Sequence, residues 1–195
     1  MAIGGLDRLG LRTCAYVLAA AMSPLAPSLA AAAPPGLQPA SVPLRPGADR
    51  LAEGMARMVG AILEYTRWPS RPAEPLTLCV VAPAIHAGRI GRFDLSGGRT
   101  VLRRDVPAGA APDVTGCDAL YLGQLELADL RRWTRAARGA PVLTIAEGDP
   151  PCGSEAMFCI RASATGLSFD LNIDAVSRSG VHVDPRVLRM ASGED

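Results

Sequence analysis

The sequence predicts a single α/β domain: a mixed, largely parallel sheet flanked by helices and followed by a C-terminal segment of a hairpin plus helices. Three observations carry this expectation. Short unbroken apolar runs at residues 76–81, 117–122 and 141–145 read as strands buried on both faces. Segments with helical periodicity alternate with them, the pattern of βαβ units and a parallel sheet. Two further strands are joined through Thr165-Gly166 as a hairpin, so the last pairing is antiparallel and the sheet is mixed.

Taken in order, helical periodicity begins after Asp49, with Leu51, Met55, Met58, Val59, Ile62 and Leu63 on one face. This helix is expected to end near Arg67, because Pro69 disfavours helix at Trp68. Residues 76–81 form the first buried strand and residues 84–92 a short helix. Ser96-Gly97-Gly98 turns into a strand at 100–104, and residues 107–112 are loop. The second buried strand, 117–122, is followed by an amphipathic helix over 125–138 with Leu127, Leu130 and Trp133 on one side, stopped by Gly139. A third buried strand and the hairpin come next. Asn172 caps a short helix that closes at Gly180, and Asp184-Pro185 opens a last helix. Trp68 and Trp133 read as core-packing aromatics presented by helices.

At 195 residues, 49% hydrophobic and 20% charged, the chain has the balance of one globular domain. A net charge of +1 does not suit counterion-driven binding, so no nucleic-acid partner is expected. All 20 basic residues are arginine, which in a chain this rich in Ala, Gly and Pro reads as compositional bias. Residues 1–33 have the layout of a secretory signal. Arg8 and Arg12 precede an apolar stretch at 14–22, and Ser28-Leu29-Ala30 and Ala31-Ala32-Ala33 offer small-residue cleavage sites. The apolar stretch is too short to span a bilayer as a mature helix, and no Leu-x-x-Cys lipid-attachment pattern ends the segment. The expected organisation is a cleaved signal peptide at 1–33, a flexible proline-rich lead-in at 34–47 and the α/β domain at 48–195, exported and not inserted in the membrane after cleavage.

Removal of the signal takes Cys14 with it and leaves Cys79, Cys117, Cys152 and Cys159, an even number in an exported chain. Structural disulfides are expected over metal, since no Cys-x-x-Cys pair occurs and the only histidines are His86 and His182. Four cysteines allow three connectivities, which the residues leave open. A bridge between Cys79 and Cys117 would be worth roughly 4 kcal/mol of unfolded-state entropy, and one between Cys152 and Cys159 roughly 2.5 kcal/mol. No Gly-x-Ser-x-Gly elbow, phosphate-binding loop, dinucleotide fingerprint or His-Glu-x-x-His occurs, so no catalytic residue, metal site or cofactor is assigned. Arg67 follows a helix face, and Arg178, His182 and Asp184 surround the connection between the last two helices. Brought together, these four would make a polar patch able to hold an anion or a partner carboxylate.

Several stretches resemble the YfiR family. They are residues 58–69 with Leu78-Cys79-Val80, Cys117-Asp118-Ala119-Leu120-Tyr121, Pro141-Val142-Leu143-Thr144 and Met157-Phe158-Cys159. The strongest is the run 168–181, continued by Pro185-Arg186-Val187-Leu188-Arg189-Met190. Together they cover nearly all of the chain after the leader, in order and with matching spacing. The resemblance implies a periplasmic, dimeric α/β protein that is not an enzyme and that represses an inner-membrane diguanylate cyclase through the cyclase's periplasmic part, lowering cyclic di-GMP. It implies the pairs Cys79–Cys117 and Cys152–Cys159, and it places the chain in the branch of the family that carries cysteines at the second pair. The alternatives are a periplasmic small-ligand sensor acting on another membrane partner, such as a histidine kinase, and a thiol oxidoreductase; the lack of Cys-x-x-Cys and of a base–nucleophile pair speaks against the latter.

Overall fold

The structure, a computed structural model, describes residues 41–45, 47, 49–70, 75–149 and 151–189. The expected signal peptide at 1–33 and most of the lead-in lie outside the described residues.

The elements in order are β1 (Ser41–Pro43), α1 (Arg50–Glu64), β2 (Thr66–Arg67), β3 (Leu76–Val81), β4 (Phe93–Asp94), β5 (Thr100–Val106), β6 (Ala119–Leu122), α2 (Leu127–Ala137), β7 (Leu143–Glu147), β8 (Phe158–Ala162), β9 (Gly166–Leu171), α3 (Ile173–Ser179) and β10 (His182–Val183). Single 3₁₀ turns occupy Ala87–Arg89 and Pro185–Leu188. Eight strands form one sheet in the order β1-β9-β8-β7-β6-β3-β5-β4. Its middle, from β5 through β3, β6 and β7 to β8, is parallel; β9 and β4 run antiparallel to their neighbours. The fold is the mixed, largely parallel α/β sheet that the sequence predicts.

The apolar runs are buried on both faces, and residue parity sorts their side chains into two layers. On one face Leu76, Leu78, Val80, Ala119, Tyr121, Leu143, Ile145, Phe158 and Ile160 pack with Met55, Met58, Val59, Ile62 and Leu63 of α1. On the other, Cys79, Val81, Leu120, Leu122, Ala146 and Cys159 pack with Leu130, Trp133 and Ala137 of α2. Trp133 takes the core position expected of it. Trp68 is only partly buried, and its indole N–H donates to the Asp118 carbonyl at 3.0 Å.

Four local expectations differ. Helix α1 stops at Glu64 rather than near Arg67, because Thr66 and Arg67 are taken into a two-stranded ribbon with β10. The β-branched Thr66 suits a strand, and its hydroxyl folds back onto the Ile62 carbonyl at 2.7 Å. Residues 84–92 make only the turn at Ala87–Arg89, in a segment where Gly88 and Gly91 weaken helix. Asp184 caps the amide of Arg186 as expected, but it opens a 3₁₀ turn of four residues, not an α-helix. Finally, residues 41–43, in the stretch read as lead-in, pair with β9 as an edge strand, and Leu44 packs against the α1 core.

A close backbone approach shapes one end of the sheet. The bond between Ala82 and Pro83 is cis, and Gln124 N–H donates to the Pro83 carbonyl at 2.7 Å. A Cβ on Gly123 would overlap that carbonyl, whereas one on Gly88 would meet nothing within 4 Å. Gly123→Ala is therefore expected to cost about 1–3 kcal/mol in urea unfolding. Gly88→Ala should be neutral or slightly stabilising.

Candidate functional site

Parity directs Cys79 of β3 and Cys159 of β8 to the α2 face. Each meets a loop cysteine there. Cys79 is paired with Cys117 and Cys152 with Cys159, at Cα–Cα separations of 5.8 and 5.4 Å. These are the pairs that the resemblance implies. Cys79, Cys117 and Cys159 are buried and Cys152 is partly exposed.

The second pair closes a loop that the backbone strains to make. Cys152 and Glu155 have φ of 52° and 64°, a left-handed conformation that is costly for side chains other than glycine. The loop is anchored from inside by Asp149, whose carboxylate accepts the amides of Gly153 at 3.0 Å and Ser154 at 2.8 Å. It is docked on α2 by three contacts. Arg131 Nε donates to the Gly153 carbonyl at 2.8 Å, Thr134 Oγ1 to the Ser154 carbonyl at 2.7 Å, and Arg138 pairs with Glu155 at 2.6 Å. Beyond the loop, the Met157 carbonyl accepts the Asn172 amide at 2.8 Å, and the Asn172 side chain caps α3 by accepting from Ala175 N–H at 3.0 Å. A continuous chain of bonds therefore runs from the Cys152–Cys159 loop to α2 on one side and to the start of α3 on the other.

The four residues expected in a polar patch are only partly brought together. In the β2–β10 ribbon Arg67 stands opposite His182, and Asp184 comes directly after, its amide bonded to the Tyr65 carbonyl at 2.9 Å. Arg67 donates to the carbonyls of Glu64 and Thr66 at 2.6 and 3.1 Å, which spends part of its guanidinium on its own turn. Arg178 is not part of this group: it pairs with Asp174 one turn earlier in α3 and lines a small cleft with Thr134, Arg138 and Glu155. Its four-residue spacing from Asp174 gives the local reason. Arg186 was not expected in the patch. It grips Asp184 with Nε at 3.0 Å and Nη2 at 2.6 Å and lies over the Tyr65 ring at 5.6 Å. The Asp-Pro-Arg order was the available signal, since a 3₁₀ turn returns the third residue to its cap.

A second unpredicted feature lies at the carboxyl end of the parallel strands. Glu147, at the end of β7, is 2% exposed. It accepts from Tyr121 Oη at 2.6 Å, the backbone amide of His86 at 3.1 Å and Gln124 Nε2 at 3.3 Å. The His86 ring reaches within 3.9 Å of the same carboxylate. Burial pushes the Tyr121 phenol far above its ordinary value, and the adjacent Glu147 charge adds to the shift.

A family model described as YfiR/HmsC-like matches residues 53–192. The chain belongs to the YfiR family. The match takes in all four cysteines of the two pairs, the β2–β10 ribbon and the Asp184–Arg186 turn. The YfiR family comprises regulators of diguanylate cyclase signalling in the periplasm, regulatory rather than catalytic in kind. Among the described residues of this YfiR-family chain, no helix is long and apolar enough to cross a membrane.

The ribbon has a testable electrostatic signature. Hydrogen bonds from the Arg186 side chain and then its amide hold the Asp184 carboxyl down at about 2, with the charges of Arg186 and Arg67 adding to the effect. A depressed carboxyl keeps its pairing at all pH values above its own titration and loses it only as the pH falls through that value. Carboxyl ¹³C titration should therefore show Asp184 still charged at pH 3. Arg186→Ala should bring it back toward the ordinary carboxylate range.

Proposed function

We propose that this protein is exported with cleavage of its signal peptide near Ala33 and acts as a homodimer in the periplasm. There it represses an inner-membrane diguanylate cyclase by binding the cyclase's periplasmic region, lowering cyclic di-GMP. The Cys152–Cys159 bridge is its control element, formed in the repressing state. The observation that supports this reading is the docking of the 149–157 loop. Opening the bridge frees two left-handed residues and loosens contacts that reach α2 through Arg131, Thr134 and Arg138, and α3 through Asn172. A bridge of this length stabilises by roughly 2.5 kcal/mol, a large share of a domain's net stability. The Cys79–Cys117 bridge spans 38 residues and serves folding yield rather than switching.

The contact surface proposed for the partner is the β2–β10 ribbon, where Arg67, His182 and Asp184 stand together with Arg186. Exposed guanidinium groups on a short rigid ribbon suit a partner carboxylate or another anion, which they bind through paired N–H donors.

Replacing Cys152 and Cys159 together with Ser is expected to raise cellular cyclic di-GMP by more than its loss of protein accounts for, whereas replacing Cys79 and Cys117 should mainly lower the amount of protein. Cyclic di-GMP, protein level and melting temperature measured for both double variants check this; a Cys152/Cys159 variant as stable and as repressive as wild type rules out redox control. Arg67→Glu combined with His182→Glu should release the cyclase without changing the melting temperature by more than a few degrees. Unchanged pull-down of the cyclase's periplasmic region by this variant would remove the ribbon from the interface.

A further inference from the structure

Asp149 lies beside the bridge as well as inside the loop. It is 4% exposed, and its carboxylate is turned toward the sulfur pair, with Oδ2 at 3.8 Å from Cys159 Sγ. Buried carboxylates are ordinarily paired with a cation. Among the described residues no cationic side chain stands within ion-pair distance of Asp149; its donors are the amides of Gly153 and Ser154, and Oδ2 lies against the Cys159 sulfur, which carries no proton in the disulfide. A ligand oxygen of Asp149 and the sulfurs of Cys152 and Cys159 all lie within 4.8 Å of one another.

We propose that Asp149, Cys152 and Cys159 form a zinc site in the reduced protein. The disulfide takes two electrons and two protons from a dithiol reductant, which leaves as its own disulfide. The S–S bond is broken and both cysteines become thiols. Zinc uptake displaces the two thiol protons to solvent, leaving the ion held by two thiolates and one carboxylate. The geometry is close to what the ion needs. Tetrahedral zinc with its usual bond lengths sets sulfur and oxygen ligands about 3.5 Å apart and two sulfurs about 3.8 Å apart. The observed 3.8 Å between Oδ2 and Cys159 Sγ is already near that spacing. The bonded sulfurs must separate and Cys152 Sγ must settle at ligand distance from the carboxylate; Cys152 sits in the strained loop with φ of 52°, free to relax once the bridge opens.

Asp149 is held by two backbone amides as well as lying beside the bridge. Its two amide partners belong to the backbone of Gly153 and Ser154, which turn the carboxylate toward the sulfurs. Cys159 is fully buried on β8, and the partly exposed Cys152 gives the ion its path and leaves a fourth position for water. The mixed thiolate and carboxylate set suits zinc over purely oxygen-seeking cations such as magnesium. The ion would re-close the loop that reduction opens. The inference requires only that the bridge can be reduced and is independent of any effect on a cyclase.

The test uses the mature protein reduced with a phosphine, which brings no thiol to compete for metal, and titrated anaerobically with Co²⁺. Reduced wild type should take up one equivalent, with thiolate-to-cobalt charge-transfer absorption in the near ultraviolet and the visible bands of a four-coordinate ion. Zn²⁺ should displace it, and the oxidised protein should give no such spectrum. Cys152→Ser and Cys159→Ser should each abolish the charge-transfer band of this site. Asp149→Asn should weaken zinc binding at least roughly tenfold. A readout that needs no variant is zinc protection of the reduced wild type from iodoacetamide, mapped by peptide, which should fall on Cys152 and Cys159. Absence of one-equivalent uptake, survival of the band in both serine variants, or protection of Cys79 and Cys117 in place of Cys152 and Cys159 would overturn the site.

Discussion

Strands β3, β6 and β7 are covered on both faces, so the parity of each residue decides which layer its side chain joins. The α1 layer is large and wholly apolar at its centre, built on Met55, Met58, Ile62, Phe158 and Tyr121. The α2 layer is thinner: an 11-residue helix presents Leu130, Trp133 and Ala137 to it, and loops must close the rest. Both disulfides lie in that second layer. Where one short helix covers a sheet face, apolar area is limited, and restricting the unfolded chain is the other available means of stabilisation. The sulfur chemistry therefore sits where the fold depends most on something other than packing.

This placement has a mechanical consequence. The 149–157 loop is the edge of the α2 layer; Ala156 and Met157 bury its end in the core, and polar contacts hold the rest. Asp149 gathers its amides, Thr134 and Arg131 hold its carbonyls, and Cys152–Cys159 closes it. Hydrogen bonds of this kind contribute about 1 kcal/mol each, so no single one fixes the loop. The bridge acts on all of them at once, because it sets the separation of the loop's start from β8. The bridge thus stands at one end of a set of contacts that reach the surface of α2 and the cap of α3.

The sheet and the two long helices could be read from the sequence because burial on both faces writes unbroken apolar runs, and burial on one face writes a helical period. The parts that could not be read are those whose pairing depends on distant chain. A strand of two residues such as Thr66–Arg67 has no period, and only the return of Val183 defines it. β1, of three residues, is nearly as short and contains a proline, which is tolerated at a sheet edge and looks like a linker in isolation. In the proposed patch, proximity in sequence suggested that Arg178 would join His182 and Asp184. The acid four residues before it, Asp174, captures it instead. Glu147 was invisible for another reason: a lone acid after an apolar strand looks like the start of a solvated turn, and only the fold brings Tyr121 and Gln124 to it.

That buried acid shows how the carboxyl end of the sheet is organised. Tyr121 and Glu147 come from the ends of neighbouring parallel strands, and their pairing at 2.6 Å ties β6 to β7 where the ladder stops. The other carboxylate contacts are to Gln124, just beyond β6, and to the amide of His86, in the segment after the cis peptide. Each oxygen of the carboxylate has a donor. Such a group is satisfied where it stands, and a satisfied buried polar network is rigid. Its work is to fasten residues 82–87 to the sheet, leaving Ile85 outward with 63% of its surface exposed. Removing the acid would strand the Tyr121 hydroxyl in an apolar layer, where an unpaired donor costs about 1–3 kcal/mol. The burial of Glu147 is therefore accounted for by the three groups that it holds together at this end of the sheet.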